Sequence, residues 1–85
     1  MNWTTYKKHT SEFFTGKKAV MLRTITTVGG DVFRKGSIVI IDGKRKVMTG
    51  YLTCKGGFGL IKTRRRKNGC VIAIKGVDPE DIELI

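Results

Sequence analysis

The sequence predicts a mostly β protein: a small five- to six-stranded β-barrel preceded by a short N-terminal α-helix. From Lys18 onward apolar residues alternate or run in short blocks, as in strands, and a helical period is confined to the first fourteen residues. Glycines and turn dipeptides punctuate the chain at the spacing of short strands. Eighty-five residues make one domain, divided into a helical segment 1–16 and a barrel 18–85. With 40% hydrophobic and 28% charged residues, the composition is that of a folding chain rather than a disordered one.

Trp3, Tyr6, Thr10 and Phe13 share one stripe of a helix over 3–14, which Asn2 or Thr4 caps and Gly16 stops. Its aromatic stripe is expected to pack on the core. Ala19–Thr26 reads as the first strand, followed by a loop at 27–31 from which Val32 and Phe33 turn back to the core. Ser37–Asp42 is a buried strand, and Asp42-Gly43 reads as a turn. Lys46–Lys55 reads as one strand, bent or bulged at Gly50. Gly59–Thr63 and Cys70–Lys75 are the next two strands, with Cys70, Ile72 and Ile74 inward. A two-residue Asn68-Gly69 turn would set Cys70, Ile72 and Ile74 against Lys67, Arg65 and Thr63. A longer loop, 64–69, pairs Ile61 with Ile72 and Thr63 with Cys70, and the hydrophobic pattern favours it. That register leaves Arg64-Arg65-Arg66-Lys67 on an exposed tip. Pro79 and its neighbouring acids suit a single helical turn, and Ile82–Ile85 closes the chain as a strand.

The order of these elements resembles SH3-like barrels, particularly the bacterial and ribosomal-type ones. The resemblance covers residues 18–85 and rests on the Phe33-Arg34-Lys35-Gly36 turn ahead of a Val/Ile-rich strand, and on the helical turn before the last strand. It departs from the KOW signature, because no Gly-x-Val pair follows the basic turn. The aromatic groove of peptide-binding SH3 domains has no counterpart either. Lys55-Gly56-Gly57-Phe58-Gly59-Leu60-Ile61 is similar to the element with which cold-shock domains and RNA-recognition motifs present stacking aromatics. It carries an extra glycine, and Leu60 stands where a second aromatic would be. An OB-type barrel is the alternative fold.

The charge is the most unusual property. Seventeen Lys and Arg against seven Asp and Glu leave +10. Residues 43–69 hold nine of those cations and no acid, whereas residues 70–85 carry a net −3. A charge of this size opposes compaction and points to a polyanionic partner. Candidate phosphate contacts are Lys44, Arg45, Lys46, Lys55, Lys62, Arg64, Arg65, Arg66 and Lys67, with Tyr51 and Phe58 as candidate stacking side chains. Whether the basic turn after Asp42 and the Arg64–Lys67 loop share one end of the barrel stays open at this level.

Chemistry finds little footing. His9 is the one histidine, and Cys54 and Cys70 lack metal-ligand spacing, so neither a metal site nor a cofactor is expected. The two thiols read as small buried hydrophobes. Asp78, Glu80, Asp81 and Glu83 cluster in a turn and the final strand, where no cleft is expected, and Gly29-Gly30 lacks the surroundings of a phosphate loop. A non-enzymatic protein is therefore expected. No apolar run is long enough to span a membrane and Met1–Lys8 lacks the core of a signal peptide, which suggests a cytoplasmic protein. The leading expectation is a non-catalytic module binding RNA or DNA through basic loops. The alternative is a protein-interaction module, an adaptor or inhibitor docking on an acidic protein. Self-assembly through the helix and strand edges is compatible with either.

Overall fold

Backbone capping sets where the N-terminal segment is helical, and it makes two short helices rather than one. In the computed structural model, which describes residues 1–45, 48–49, 52–53 and 56–85, α1 is Trp3–Lys8 and α2 is Ser11–Phe14. The Asn2 side chain accepts from the Thr5 N–H at 2.8 Å to start α1. Thr10 caps α2 in extended conformation, so a residue expected inside a helix is the break between two. The break shifts the helical phase. Tyr6 and Phe14 enter the core, while Phe13 stays 41% exposed.

The strands are β1 (Lys18–Met21), β2 (Ile25–Thr26), β3 (Val32–Phe33), β4 (Ile38–Lys44), β5 (Met48–Thr49), β6 (Leu52–Thr53), β7 (Phe58–Arg65), β8 (Val71–Val77) and β9 (Ile82–Leu84). Five of them form one antiparallel sheet in the order β8-β7-β4-β1-β9. A 3₁₀ turn, Pro79–Asp81, leads into β9, with Asp78 accepting from the Glu80 N–H at 2.9 Å. The expected first strand, Ala19–Thr26, is divided: β1 joins the main sheet, and β2 pairs with β3 in a hairpin closed by the Thr27–Asp31 loop.

Two further expectations are corrected. Asp42-Gly43 is not a turn, because β4 runs through it. Its register against β7 shifts between Ile41 and Gly43, the mark of a bulge. Gly43 has φ +122°, and a Cβ there would lie 2.7 Å from the Ser11 Oγ, so the glycine lets α2 dock on the strand. The Ser11 hydroxyl accepts from the Lys44 N–H at 2.9 Å and fixes that docking. Within the expected strand 46–55, the described residues are two short strands paired antiparallel, with Met48 opposite Thr53 and Thr49 opposite Leu52.

The β7–β8 register matches neither sequence alternative. Leu60 faces Ile74, Ile61 faces Ala73 and Arg65 faces Val71. The connection is tight: the Arg66 N–H donates to Cys70 O at 2.9 Å, and the Gly69 N–H donates to Arg66 O at 2.9 Å. Leu60, not Ile61, therefore points inward, because residues opposite in an antiparallel ladder share a face. Cys70, expected inside, is exposed at the end of this turn. Cys54 lies outside the described residues.

The core is filled by Phe14, Met21, Phe33, Val39, Ile41, Phe58, Leu60 and Ile82, all within 1% of complete burial. Phe58 packs edge-on against Phe14 at 4.8 Å and against Tyr6 at 5.0 Å. Such pairs add about 0.5–1.5 kcal/mol each beyond area burial. The Tyr6 hydroxyl donates to Gly57 O at 3.2 Å and accepts from the Gly57 N–H at 3.1 Å. A Cβ at Gly57 would lie 2.6 Å from the Val77 carbonyl oxygen, so the extra glycine before Phe58 serves this close backbone approach.

Candidate functional site

The two basic clusters lie at opposite ends of the sheet. β4 begins at Ile38 and ends at Lys44, and antiparallel β7 begins beside Lys44 and ends at Arg65. At roughly 3.3 Å per residue, Lys44 and Arg64 are separated by about 20 Å along the strands.

At the Lys44 end the two described cations, Lys44 and Arg45, both have protein partners. The Lys44 Nζ donates to His9 O at 2.6 Å and sits 4.4 Å from the Tyr6 ring centroid. Lys44 is thus a half-buried strut under the helices, not a loop-tip phosphate contact. Arg45 is exposed, donates to Lys44 O at 3.2 Å and approaches Asp42 at 3.5 Å. Phe58, a candidate stacking residue, is fully buried and presents no face to solvent. Lys46, Tyr51 and Lys55 lie outside the described residues.

The other end is more open. Arg64, Arg65, Arg66 and Lys67 are all exposed, the first two on the last positions of β7 and the others in the turn. Facing them is the β3–β4 turn. Gly36, at φ +87°, closes it, with the Gly36 N–H on Met21 O at 2.8 Å and the Ser37 N–H on Arg34 O at 3.0 Å. The Lys35 N–H is held by the Thr24 hydroxyl at 3.0 Å. These bonds present the Arg34 and Lys35 side chains to solvent.

Between the β3–β4 turn and the end of β7 runs a groove of about 210 Å³, lined in part by Phe33, Arg34, Ser37, Lys62, Thr63 and Arg64. Lys62 pairs with Val39 in the ladder and shares its inward face, at the open end of the sheet. Its Nζ lies 5.1 Å from the centroid of the buried Phe33 ring, which holds the ammonium at the groove. The one carboxylate ion-paired at this rim is Asp31, 2.6 Å from Arg66 among the described residues. Arg65 donates to Gly69 O at 3.1 Å and braces the turn.

Arg34 and Lys35 are not among the candidates that the sequence offers, because residues 31–42 offset these two cations with Asp31 and Asp42. The Phe33-Arg34-Lys35-Gly36 turn was visible, but its proximity to residues 62–67 is a product of the β4–β7 register. The last basic pairing of note is remote. Arg23 contacts Asp81 at 2.7 Å beside β9, and that hydrogen bond raises the guanidinium pKa. The groove carries the Arg34 guanidinium from the β3–β4 turn and the Lys62 ammonium and Arg64 guanidinium from β7, groups whose chemistry suits anions.

No known protein family, curated protein or solved structure matches this chain.

Proposed function

We propose that the protein is a non-catalytic nucleic-acid-binding module of SH3-like topology that grips phosphates with the turns flanking the Arg34–Arg64 groove. The topology is supported by the sheet order, in which the last strand returns to pair with the first after a 3₁₀ turn. The observation carrying the function is that Arg34, Lys62 and Arg64 line one groove at one end of the sheet, with Lys35, Arg65 and Lys67 exposed next to them along the chain. Phosphates at helical spacing match several cations on a rigid rim, and such contacts supply sequence-independent affinity.

Salt titration of binding to duplex DNA and duplex RNA tests this reading. About five phosphate contacts predict a log–log slope near −4 to −5 on B-DNA. No binding at low salt, or a flat dependence, overturns it. Capture of an acidic protein that survives nuclease treatment, with no affinity for either duplex, would favour the protein-interaction alternative.

A further inference from the structure

The outer edge of β8 is open. It is the terminal strand of the main sheet, and among the described residues no strand pairs with its outer side. The opposite edge is better covered, since the Met1 amino group donates to Ile82 O at 2.5 Å and contacts Glu83 at 3.1 Å. Beside β8 lies a slot of about 560 Å³, formed between Thr26–Gly29 of the hairpin loop and Ala73–Lys75 of the strand. Val28, fully exposed, stands at its rim. An extended backbone with alternating small and apolar side chains suits this slot.

Charge along β8 is polar. Arg65, Arg66 and Lys67 precede it, while Asp78 and Glu80 follow it. A strand with cations at its start and acids at its end complements itself when paired antiparallel and opposes itself when paired parallel. We propose that β8 pairs antiparallel with β8 of a second copy of this chain, forming a two-fold dimer through the straight stretch Val71–Lys75. Gly76, at φ +72°, ends that stretch with a bulge. Each copy's basic turn then lies near the other copy's Asp78–Glu80 segment. The net charge of each chain opposes the approach, so the dimer is expected to be weak and concentration-dependent. The proposal does not rest on nucleic-acid binding, because its pairing surface is the β8 edge, but it shares the Arg65–Lys67 turn with the proposed phosphate grip, so the test uses protein free of nucleic acid.

Sedimentation equilibrium of nuclease-treated protein over a wide concentration range tests it. The expected result is a monomer–dimer equilibrium. Ala73 is exposed at the middle of the paired stretch, and Ala73→Lys sets lysines against each other or against Lys75 across the two-fold axis. It should weaken the dimer about tenfold, from the cost of like charges on opposed strands. Ile38→Lys changes the same outward face two strands in from the edge and should leave the edge dimer intact. Glu80→Lys should weaken dimerisation more than Glu12→Lys, which alters net charge equally but lies on α2. A monomer at all concentrations overturns the proposal. So does a dimer that ignores Ala73→Lys, or one that Ile38→Lys abolishes, since the second marks stacking of sheet faces. Equal effects of Glu80→Lys and Glu12→Lys remove the antiparallel charge match and overturn it as well. Circular dichroism of each variant verifies that the monomer remains folded.

Discussion

The two ends of the main sheet both carry lysines and arginines, and they use them in opposite ways. At the end where β4 meets the helices, Lys44 is tied to the His9 carbonyl and lies against the Tyr6 ring. At the other end Arg34, Lys35, Arg64 and Lys67 point to solvent around a groove, with Asp31 neutralising Arg66 alone. A cation in an acid-free stretch is therefore not by itself a ligand contact. What matters is whether backbone carbonyls and aromatic faces already surround it. Lys44 has such neighbours because α2 docks on Gly43, whereas the β3–β4 and β7–β8 turns project beyond the sheet.

The largest expected effect bears on the aromatic end. Phe58→Ala should destabilise the protein by about 3–5 kcal/mol in denaturant unfolding, because it empties a fully buried site shared with Tyr6 and Phe14. A loss below about 1 kcal/mol would break the view that this end is structural. Next in size is the cationic end: Arg64→Ala, Arg65→Ala and Lys67→Ala together should weaken duplex binding about a hundredfold at moderate salt and reduce the salt slope by about two to three. The same triple change should leave unfolding free energy within about 0.5 kcal/mol per site, because these side chains are exposed.

Lys44→Ala sharpens the contrast. It should cost about 1 kcal/mol of stability through the lost cation–π contact and stem packing, with the salt slope of binding unchanged. A reduced slope would move Lys44 back among the phosphate contacts. The smallest effect is expected from Asp31→Asn, which frees Arg66 from its 2.6 Å ion pair. Binding should tighten severalfold and the slope should steepen by up to about one, measured in the same titration. Weaker binding would instead mean that Asp31 holds Arg66 in a productive position.

Much of the fold was legible residue by residue. Pro79 with its acids marked the 3₁₀ turn, the Thr27–Asp31 loop was located, and the run of valine and isoleucine in 38–41 marked the central strand. The failures share a cause. Asp42-Gly43 has a local preference for a turn, but the strand continues there because a helix needs that glycine's missing Cβ. The hydrophobic pattern favours Ile61 inside, yet Leu60 takes the core because the tight Arg66–Cys70 connection sets the register. Phe58 looked like a stacking aromatic in a glycine-rich element, and the glycines turned out to admit Val77 backbone and the Arg45 side chain instead.

Composition and local pattern alone determined that the chain is mostly β, that its N-terminal segment is helical, and that its charge is concentrated in residues 43–69. These follow from periodicity and counting, which need no knowledge of what lies nearby in space. The tertiary structure decided which cations share a surface. Arg34 is about thirty residues from Arg64 along the chain, yet the two line one groove. Lys44 belongs to the basic stretch 43–69 and is nonetheless spent on packing. Antiparallel pairing imposes this: it brings the start of β4 to the end of β7, and it leaves the end of β4 beneath the helices.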